Sequence, residues 1–171
     1  MKIGDTAPSF ELPATDGSTQ GPGATPTAVV FTCNHCPYAL AWHDRLLDVA
    51  RDYASHGVRV LFVNPNDAER YPRDSFEAMR ERGDAEGGWP APYLRDEAQA
   101  VAHGFGAKTT PDVFVLDEGG VLRYRGAPDA DHDDPSLGAA WLRGALDALL
   151  EGRDPEPVET EPVGCSVKWA E

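Results

Sequence analysis

Residues Phe31–Leu40 read FTCNHCPYAL and place two cysteines, Cys33 and Cys36, with two residues between them. The run Thr27–Thr32 (TAVVFT) is nearly all apolar, which is typical of a strand buried on both faces. Pro37 fits the first turn of a helix, where its missing N–H costs little. An apolar stripe at helical spacing follows: Leu40, Leu46, Leu47 and Ala50. The stretch therefore predicts a strand, a turn with Cys33, and a helix with Cys36 at or inside its first turn.

This placement of the cysteines favours thiol chemistry. The thiolate is the reactive form of cysteine, and the unpaired N–H groups at a helix N-terminus stabilise it. A protonated His35 between the two sulfurs in sequence would lower the thiolate pKa further. We expect Cys33 to attack a partner disulfide and Cys36 to resolve the resulting mixed disulfide.

Three other interpretations of the pair stay open at this point. Both cysteines could be ordinary core residues, because free cysteine is among the most buried residue types. They could form half of a metal site completed by His35, His43 or Cys165. Structural zinc usually shows four ligands, often as a second close pair, and no such pair is present, so we predict no metal. A structural disulfide is the third interpretation.

Composition limits the classes of partner. The chain has 171 residues, enough for one domain with a sizeable core, and a formal net charge of -14. Such a surface repels phosphate backbones and anionic lipids, so we expect neither nucleic acid nor membrane as a partner. No apolar run approaches the roughly 18 residues of a membrane span, and the first residues lack a signal-peptide pattern. We therefore predict a cytoplasmic protein, in which a close cysteine pair alternates between dithiol and disulfide instead of forming a structural disulfide.

The order of predicted elements indicates an α/β fold. A short N-terminal hairpin precedes the first strand, and a βαβ unit, further helix, a β-hairpin and a last helix follow. We predict a domain over residues 1–152 and a Pro- and Glu-rich tail over 153–171. The predicted elements after the first helix are a strand at Val58–Val63, helices at Arg73–Arg82 and Asp96–His103, strands at Asp112–Leu116 and Val121–Arg125, and a helix at Ser136–Leu150.

A strand, a cysteine pair at a helix start and a later Thr-Pro before another strand together resemble the thioredoxin superfamily. The resemblance implies a thioredoxin-like fold, with a central mixed β-sheet flanked by helices. It also implies that Pro111 follows a cis peptide bond and packs against the dithiol. The main chain of Thr110 would then be placed to pair with an extended client segment. Thr32 stands where thioredoxins have Trp, and Thr27 stands where they have a buried Asp.

A longer resemblance covers almost the whole chain. The stretches GDTAPSFELPATDG, VNPNDAERYPRDSFEAM, PYLRDEAQAVAHGFGAKTTPDVFVLD and PVGCSVKW resemble a bacterial peroxiredoxin-like family of redoxins, related to alkyl hydroperoxide reductase and thiol-specific antioxidant. This implies an oxidoreductase without a cofactor that exchanges disulfides with protein clients or small thiols. A thiol peroxidase with Cys33 as the peroxidatic cysteine is the alternative. The peroxiredoxin pattern Pro-x-x-x-Thr-x-x-Cys is broken, because Pro26 matches the proline but Val30 replaces the threonine. A third possibility is a metal- or partner-binding module on the same scaffold.

The third cysteine, Cys165, lies in the tail. It lies twelve positions after Arg153, and an extended chain spans roughly 40 Å over that distance. Cys165 can therefore reach the dithiol, and we consider it a resolving or relay cysteine that attacks the Cys33–Cys36 disulfide or a sulfenic acid on Cys33. The alternative is a free thiol in a docked tail, with Trp169 merely packing on the body.

Overall fold

A five-stranded mixed sheet forms the centre of the molecule. The computed structural model describes residues 1–171. The strands of the sheet are β3 (Thr27–Phe31), β4 (Arg59–Asn64), β5 (Tyr93–Arg95), β7 (Asp112–Leu116) and β8 (Leu122–Gly126). Their order across the sheet is β5-β4-β3-β7-β8, with β3 parallel to β4, β4 parallel to β5, and the other neighbours antiparallel.

Two short two-stranded sheets and four helices complete the fold. The N-terminal hairpin pairs β1 (Leu12–Pro13) with β2 (Thr19–Gln20), and a second small sheet pairs β6 (Thr109–Thr110) with β9 (Cys165–Ser166). The helices are α1 (Pro37–Ala54), α2 (Phe76–Ala85), α3 (Ala100–Phe105) and α4 (Ala140–Leu150). None of them is both long enough and apolar enough to cross a bilayer. The mixed sheet with flanking helices is the predicted thioredoxin-like architecture.

The central strand explains the apolar run that precedes the cysteines. Successive side chains of a strand point to opposite faces. Ala28 and Val30 enter the core cluster built with α1 and α4, whereas Val29 and Phe31 enter the cluster on the other face, which includes residues of α3. All five residues of β3 are buried, which explains why the run does not alternate between apolar and polar residues.

One strand was missed, and the bounds of three predicted helices are wrong. The helix predicted over Asp96–His103 spans Ala100–Phe105, as α3. Tyr93–Arg95 forms the edge strand β5, which the sequence did not predict. The helix predicted over Arg73–Arg82 is split: a 3₁₀ turn ends at Asp74, and Ser75 then caps α2 by accepting a hydrogen bond from the Ala78 N–H. The last helix, predicted from Ser136, starts at Ala140 after a separate 3₁₀ turn.

Candidate active site

The cysteine pair lies at the carboxyl end of β3 and the start of α1. The Thr32 N–H donates to the carbonyl of Val63 on the neighbouring strand, which fixes the chain just before Cys33. Cys36 is extended, Pro37 follows it in the first helical turn, and the Cys36 carbonyl accepts the Leu40 N–H. The predicted strand–turn–helix placement is therefore present. Both side chains are buried, with 1% exposure for Cys33 and 0% for Cys36.

Thr110 contacts both thiols. The peptide bond between Thr110 and Pro111 is cis, as the resemblance implied. Cys33 Sγ lies 3.3 Å from Thr110 Oγ1, and Cys36 Sγ lies 3.2 Å from the Thr110 carbonyl oxygen, to which the thiol donates. The hydroxyl and the carbonyl of a single residue thus each serve one sulfur.

The tail brings Cys165 to the same place. Strand β9 runs antiparallel to β6, with Cys165 opposite Thr110. The Cys165 side chain packs against the small cluster that contains Cys33 and Cys36. All three sulfurs of the chain therefore meet at one site, with all three thiols reduced.

The three thiols differ in the direction in which their surroundings shift the pKa. A hydrogen bond from Cys33, helped by Cys165 and by the Ala39 N–H, lowers the pKa of Cys36 to about 4 against the opposing effect of burial. The same Cys33–Cys36 hydrogen bond, and then burial, raise the pKa of Cys33. Burial, followed by the hydrogen bond to Cys36 and its charge, raises the pKa of Cys165 to about 11. With the tail docked, the negative charge is favoured on Cys36.

The geometry also serves the opposite protonation state of the pair. Transfer of the Cys33 proton to Cys36 would place the negative charge on Cys33. Cys36 would then be a thiol and donate to the Thr110 carbonyl, while the Thr110 hydroxyl would donate to a Cys33 thiolate. In the state with Cys33 charged, Thr110 therefore hydrogen-bonds to both sulfurs, donating to Cys33 and accepting from Cys36.

His35 pairs with a buried carboxylate beside Cys33. Its Nδ1 lies 2.7 Å from Oδ2 of Asp74, which is fully buried. Asp74 also accepts hydrogen bonds from the Asn34 N–H at 2.7 Å, from Asn64 Nδ2 at 3.1 Å and from Asn66 Nδ2 at 3.0 Å. It thereby ties the turn between the cysteines to the loop after β4, and its charge contributes to the raised pKa of Cys33.

A second set of contacts holds the backbone of the turn. Arg82 donates from Nη1 to the Cys33 carbonyl at 3.1 Å and to Asn34 Oδ1 at 3.0 Å. The hydroxyl of Tyr93 donates to the same Asn34 oxygen at 2.7 Å. Thr32, expected to support the site, hydrogen-bonds through its backbone N–H to the Val63 carbonyl.

Three side chains near the pair could ligate one metal ion. Donor atoms of Cys33, His35 and Asp74 all lie within 4.8 Å of one another. His43, considered a ligand from the sequence, pairs instead with Glu86 at 2.6 Å. A metal would compete for the Asp74 oxygens with the donors already bound there, so the arrangement suits a positioned carboxylate better than a metal ligand.

Sequence reasoning missed Asp74, Asn64, Asn66 and Arg82. One signal was available for the two asparagines: they directly follow an apolar strand, at its carboxyl end. In parallel sheets, the carboxyl ends of neighbouring strands lie at one edge, and β3 and β4 are such neighbours. Polar residues at this position are therefore expected beside Cys33.

Comparison with known proteins places these features in context. The family model described as the AhpC/TSA family matches residues 3–125. An uncharacterized conserved protein from Geobacillus kaustophilus is 38% identical, with 99% of this chain and 93% of that chain covered and a TM-score of 0.90. A hypothetical protein from Sinorhizobium meliloti 1021 is 33% identical, with 99% and 96% covered and a TM-score of 0.90.

More distant solved structures share the fold. A peroxidoxin from Mycobacterium tuberculosis is 20% identical, covers 84% of this chain and 97% of its own, and has a TM-score of 0.65. No protein of curated function matches the chain.

Proposed function

Because the chain belongs to the AhpC/TSA family, which supports a thiol redox function, we propose that it is a thiol–disulfide oxidoreductase using Cys33 and Cys36. The observation that carries the proposal is the dithiol at the start of α1, whose two sulfurs contact the hydroxyl and the carbonyl of Thr110. Its substrates would be disulfides of protein clients or of small thiols. A cytoplasmic location stays a prediction from the sequence.

The proposed exchange consists of two attacks. Cys33, deprotonated by transfer of its proton to Cys36, attacks a client disulfide, forms a mixed disulfide and releases one client thiolate. Cys36, after losing its proton, attacks the Cys33 sulfur, forms the Cys33–Cys36 disulfide and releases the second client thiol. The client gains two electrons and the protein loses two. Cys33 has no proton to donate once it is in the mixed disulfide, so at this stage the Ala39 N–H is the donor that still stabilises the Cys36 thiolate.

Cys165 is proposed as a relay for the oxidised pair. While Cys36 is charged, it raises the pKa of Cys165 through a hydrogen bond and through its charge. Formation of the Cys33–Cys36 disulfide removes both effects. The Cys165 thiolate could then attack the Cys36 sulfur, forming a Cys36–Cys165 disulfide and releasing the Cys33 thiolate.

Cysteine variants test the exchange. Cys33→Ser should abolish reduction of oxidised glutathione or of a disulfide-linked peptide, whereas Cys36→Ser should accumulate the mixed disulfide on Cys33. Non-reducing mass spectrometry reads both results. Retained exchange in Cys33→Ser would overturn the assignment. The relay predicts a Cys36–Cys165 disulfide after mild oxidation of the wild type, and Cys165 left free at every ratio of oxidant would exclude it.

Family membership also favours a thiol peroxidase as the second candidate. Peroxide would oxidise Cys33 to a sulfenic acid, which Cys36 or Cys165 would resolve by forming a disulfide and releasing water. Val30, at the position of the peroxiredoxin threonine, is fully buried in the α1-side core and offers no hydroxyl to peroxide. We therefore expect peroxide consumption with a thiol donor to be slower than disulfide exchange, and the reverse order would favour the peroxidase.

A further inference from the structure

The docked tail covers the cysteine pair and blocks access of a partner to both sulfurs. Residues after Gly164 run beside Thr110 as β9, and Cys165 packs on the cysteine pair. With the tail in this position, Cys33 and Cys36 are essentially unexposed. A disulfide bond of another molecule needs access to at least one sulfur, so the tail has to leave before a partner can react.

The tail lies in a groove that contacts mainly its backbone. The Val167 N–H donates to the Lys108 carbonyl at 3.1 Å, and the Lys168 N–H donates to Asn66 Oδ1 at 2.9 Å. The side-chain amide of Gln99 donates to the Lys168 carbonyl and accepts from the Ala170 N–H, both at 2.9 Å. Hydrogen bonds to backbone groups are the usual way in which a protein binds an extended peptide.

Gln99 has the features of a specialised binding residue. It is only 5% exposed, and its φ of 60° lies in the left-handed region that few residues other than glycine adopt. Strained residues of this kind cluster at ligand clamps, where the surrounding structure holds them. The clamp made by Gln99 on the tail backbone is such a case.

Side-chain positions along the tail define a pattern. A Cβ on Gly164 would lie 2.3 Å from the Thr110 carbonyl oxygen, so no side chain fits before the cysteine. Val167 is buried in the core cluster beside α3. Trp169 stacks on His103, with ring centroids 4.0 Å apart. The occupant therefore reads Gly-Cys, then an apolar residue two positions later and an aromatic residue four positions later.

We propose that the edge of β6, together with Asn66, Gln99 and His103, is a binding groove for an extended polypeptide segment of this pattern in a partner protein. The chain's own residues 163–169 fill it in the resting state. A partner segment enters when the tail leaves, and its cysteine takes the position of Cys165. The proposal rests on the proposed exchange only for the role of that cysteine, since the groove itself requires no redox step.

A glycine substitution can release the tail without removing any of the reactive cysteines. In full-length Gly164→Ala, the added Cβ should displace the tail while all three cysteines remain. Gly144→Ala is the matched control, because a Cβ there meets no atom within 4 Å. Circular dichroism establishes that both variants are folded.

The probe is a fluorescein-labelled peptide of residues 161–171 carrying Cys165→Ser, which cannot form a disulfide. We expect its binding, measured by fluorescence anisotropy, to be at least about tenfold tighter to Gly164→Ala than to the wild type or Gly144→Ala, whose resident tails compete at high effective concentration. A peptide that also carries Gly164→Ala should not bind. No binding to the folded Gly164→Ala protein, or equal binding to all three proteins, would overturn the groove.

Exchange assays distinguish this failure from failure of the proposed function. Loss of peptide binding with intact glutathione exchange removes the groove alone. Peptide binding without exchange removes the oxidoreductase and leaves the groove.

Discussion

Cys33 Sγ and Thr110 Oγ1 lie 3.3 Å apart although 77 positions separate them in the chain. The hydroxyl lowers the pKa of Cys33, against the raising effects of Cys36 and burial. It is the side-chain donor that stabilises a Cys33 thiolate, and the proposed first attack depends on that thiolate.

Thr110→Val should therefore slow exchange. A hydrogen bond to a charged group contributes about 1.5 kcal/mol or more, so we expect a rate about tenfold lower at neutral pH. The loss should be largest at low pH, because a raised pKa of Cys33 moves thiolate formation to higher pH. Glutathione exchange followed across pH measures this, and Thr110→Ser, which keeps the hydroxyl, should restore the profile. Equal profiles for Thr110→Val and the wild type would contradict the role of the hydroxyl.

Cys165 should react slowly with iodoacetamide while the pair is reduced. Its pKa is raised from 9.0 to about 11, so its thiolate fraction at pH 8 falls about 100-fold relative to an ordinary thiol. The rate should then rise with pH up to about 11. Removal of the Cys36 sulfur in Cys36→Ala should accelerate the reaction at Cys165, as read by mass spectrometry. Identical rates in native and denatured reduced protein would contradict the raised pKa.

Asp74→Asn should destabilise the protein and make Cys33 more acidic. The amide has one oxygen and cannot accept from all the donors that hydrogen-bond to Asp74. Loss of these buried hydrogen bonds should lower the free energy of unfolding by about 2 kcal/mol or more. Loss of the negative charge also lowers the pKa of Cys33, since that charge raises it. Urea unfolding gives the first result and the pH dependence of exchange gives the second. Asp48→Asn, in an exposed ion pair with Arg51, should change stability by less than about 0.5 kcal/mol.

Asp129→Ala should be strongly destabilising without direct contact with the dithiol. Asp129 is buried and accepts from Arg45 at 2.8 Å, from Trp42 Nε1 at 2.9 Å and from the Ala139 N–H at 2.9 Å. Removal leaves the Arg45 charge buried, at a cost of about 3–5 kcal/mol. Thermal unfolding measures this loss, and Asp133→Ala, an exposed neighbour on the same loop, serves as the control. Similar stabilities of the two variants would show that the buried pair contributes little.

The sequence predicted the central elements because their signals are local. The run at β3 is apolar on both faces, and the spacing of Cys33 and Cys36 marks the helix start. Strand β5 was missed because it has three residues and contains Arg95, which is buried. Its guanidinium donates to the carbonyls of Asn64 and Asn66, partners that only the folded chain supplies.

The parts of the site that depend on contacts between distant segments could not be predicted from the sequence. The buried carboxylate of Asp74 accepts from three residues in two distant segments, Asn34 in one and Asn64 and Asn66 in the other, and no local sequence pattern indicates that they meet. The length of the tail shows that Cys165 can reach the dithiol, but the pairing of Cys165 with Thr110 is a question of strand register. Register is set by side-chain faces and backbone fit, here by Gly164, and not by reach.

The stack of Trp169 on His103 gives the molecule an internal optical reporter. Tryptophan emission moves to longer wavelength when the indole passes into water, and of the four tryptophans only Trp169 belongs to the tail. A red shift of the emission on adding a competing peptide would report release of the tail in unlabelled protein. The shift should be absent in Trp169→Phe. The residue that holds the tail in place is thus also the one that signals when it has left.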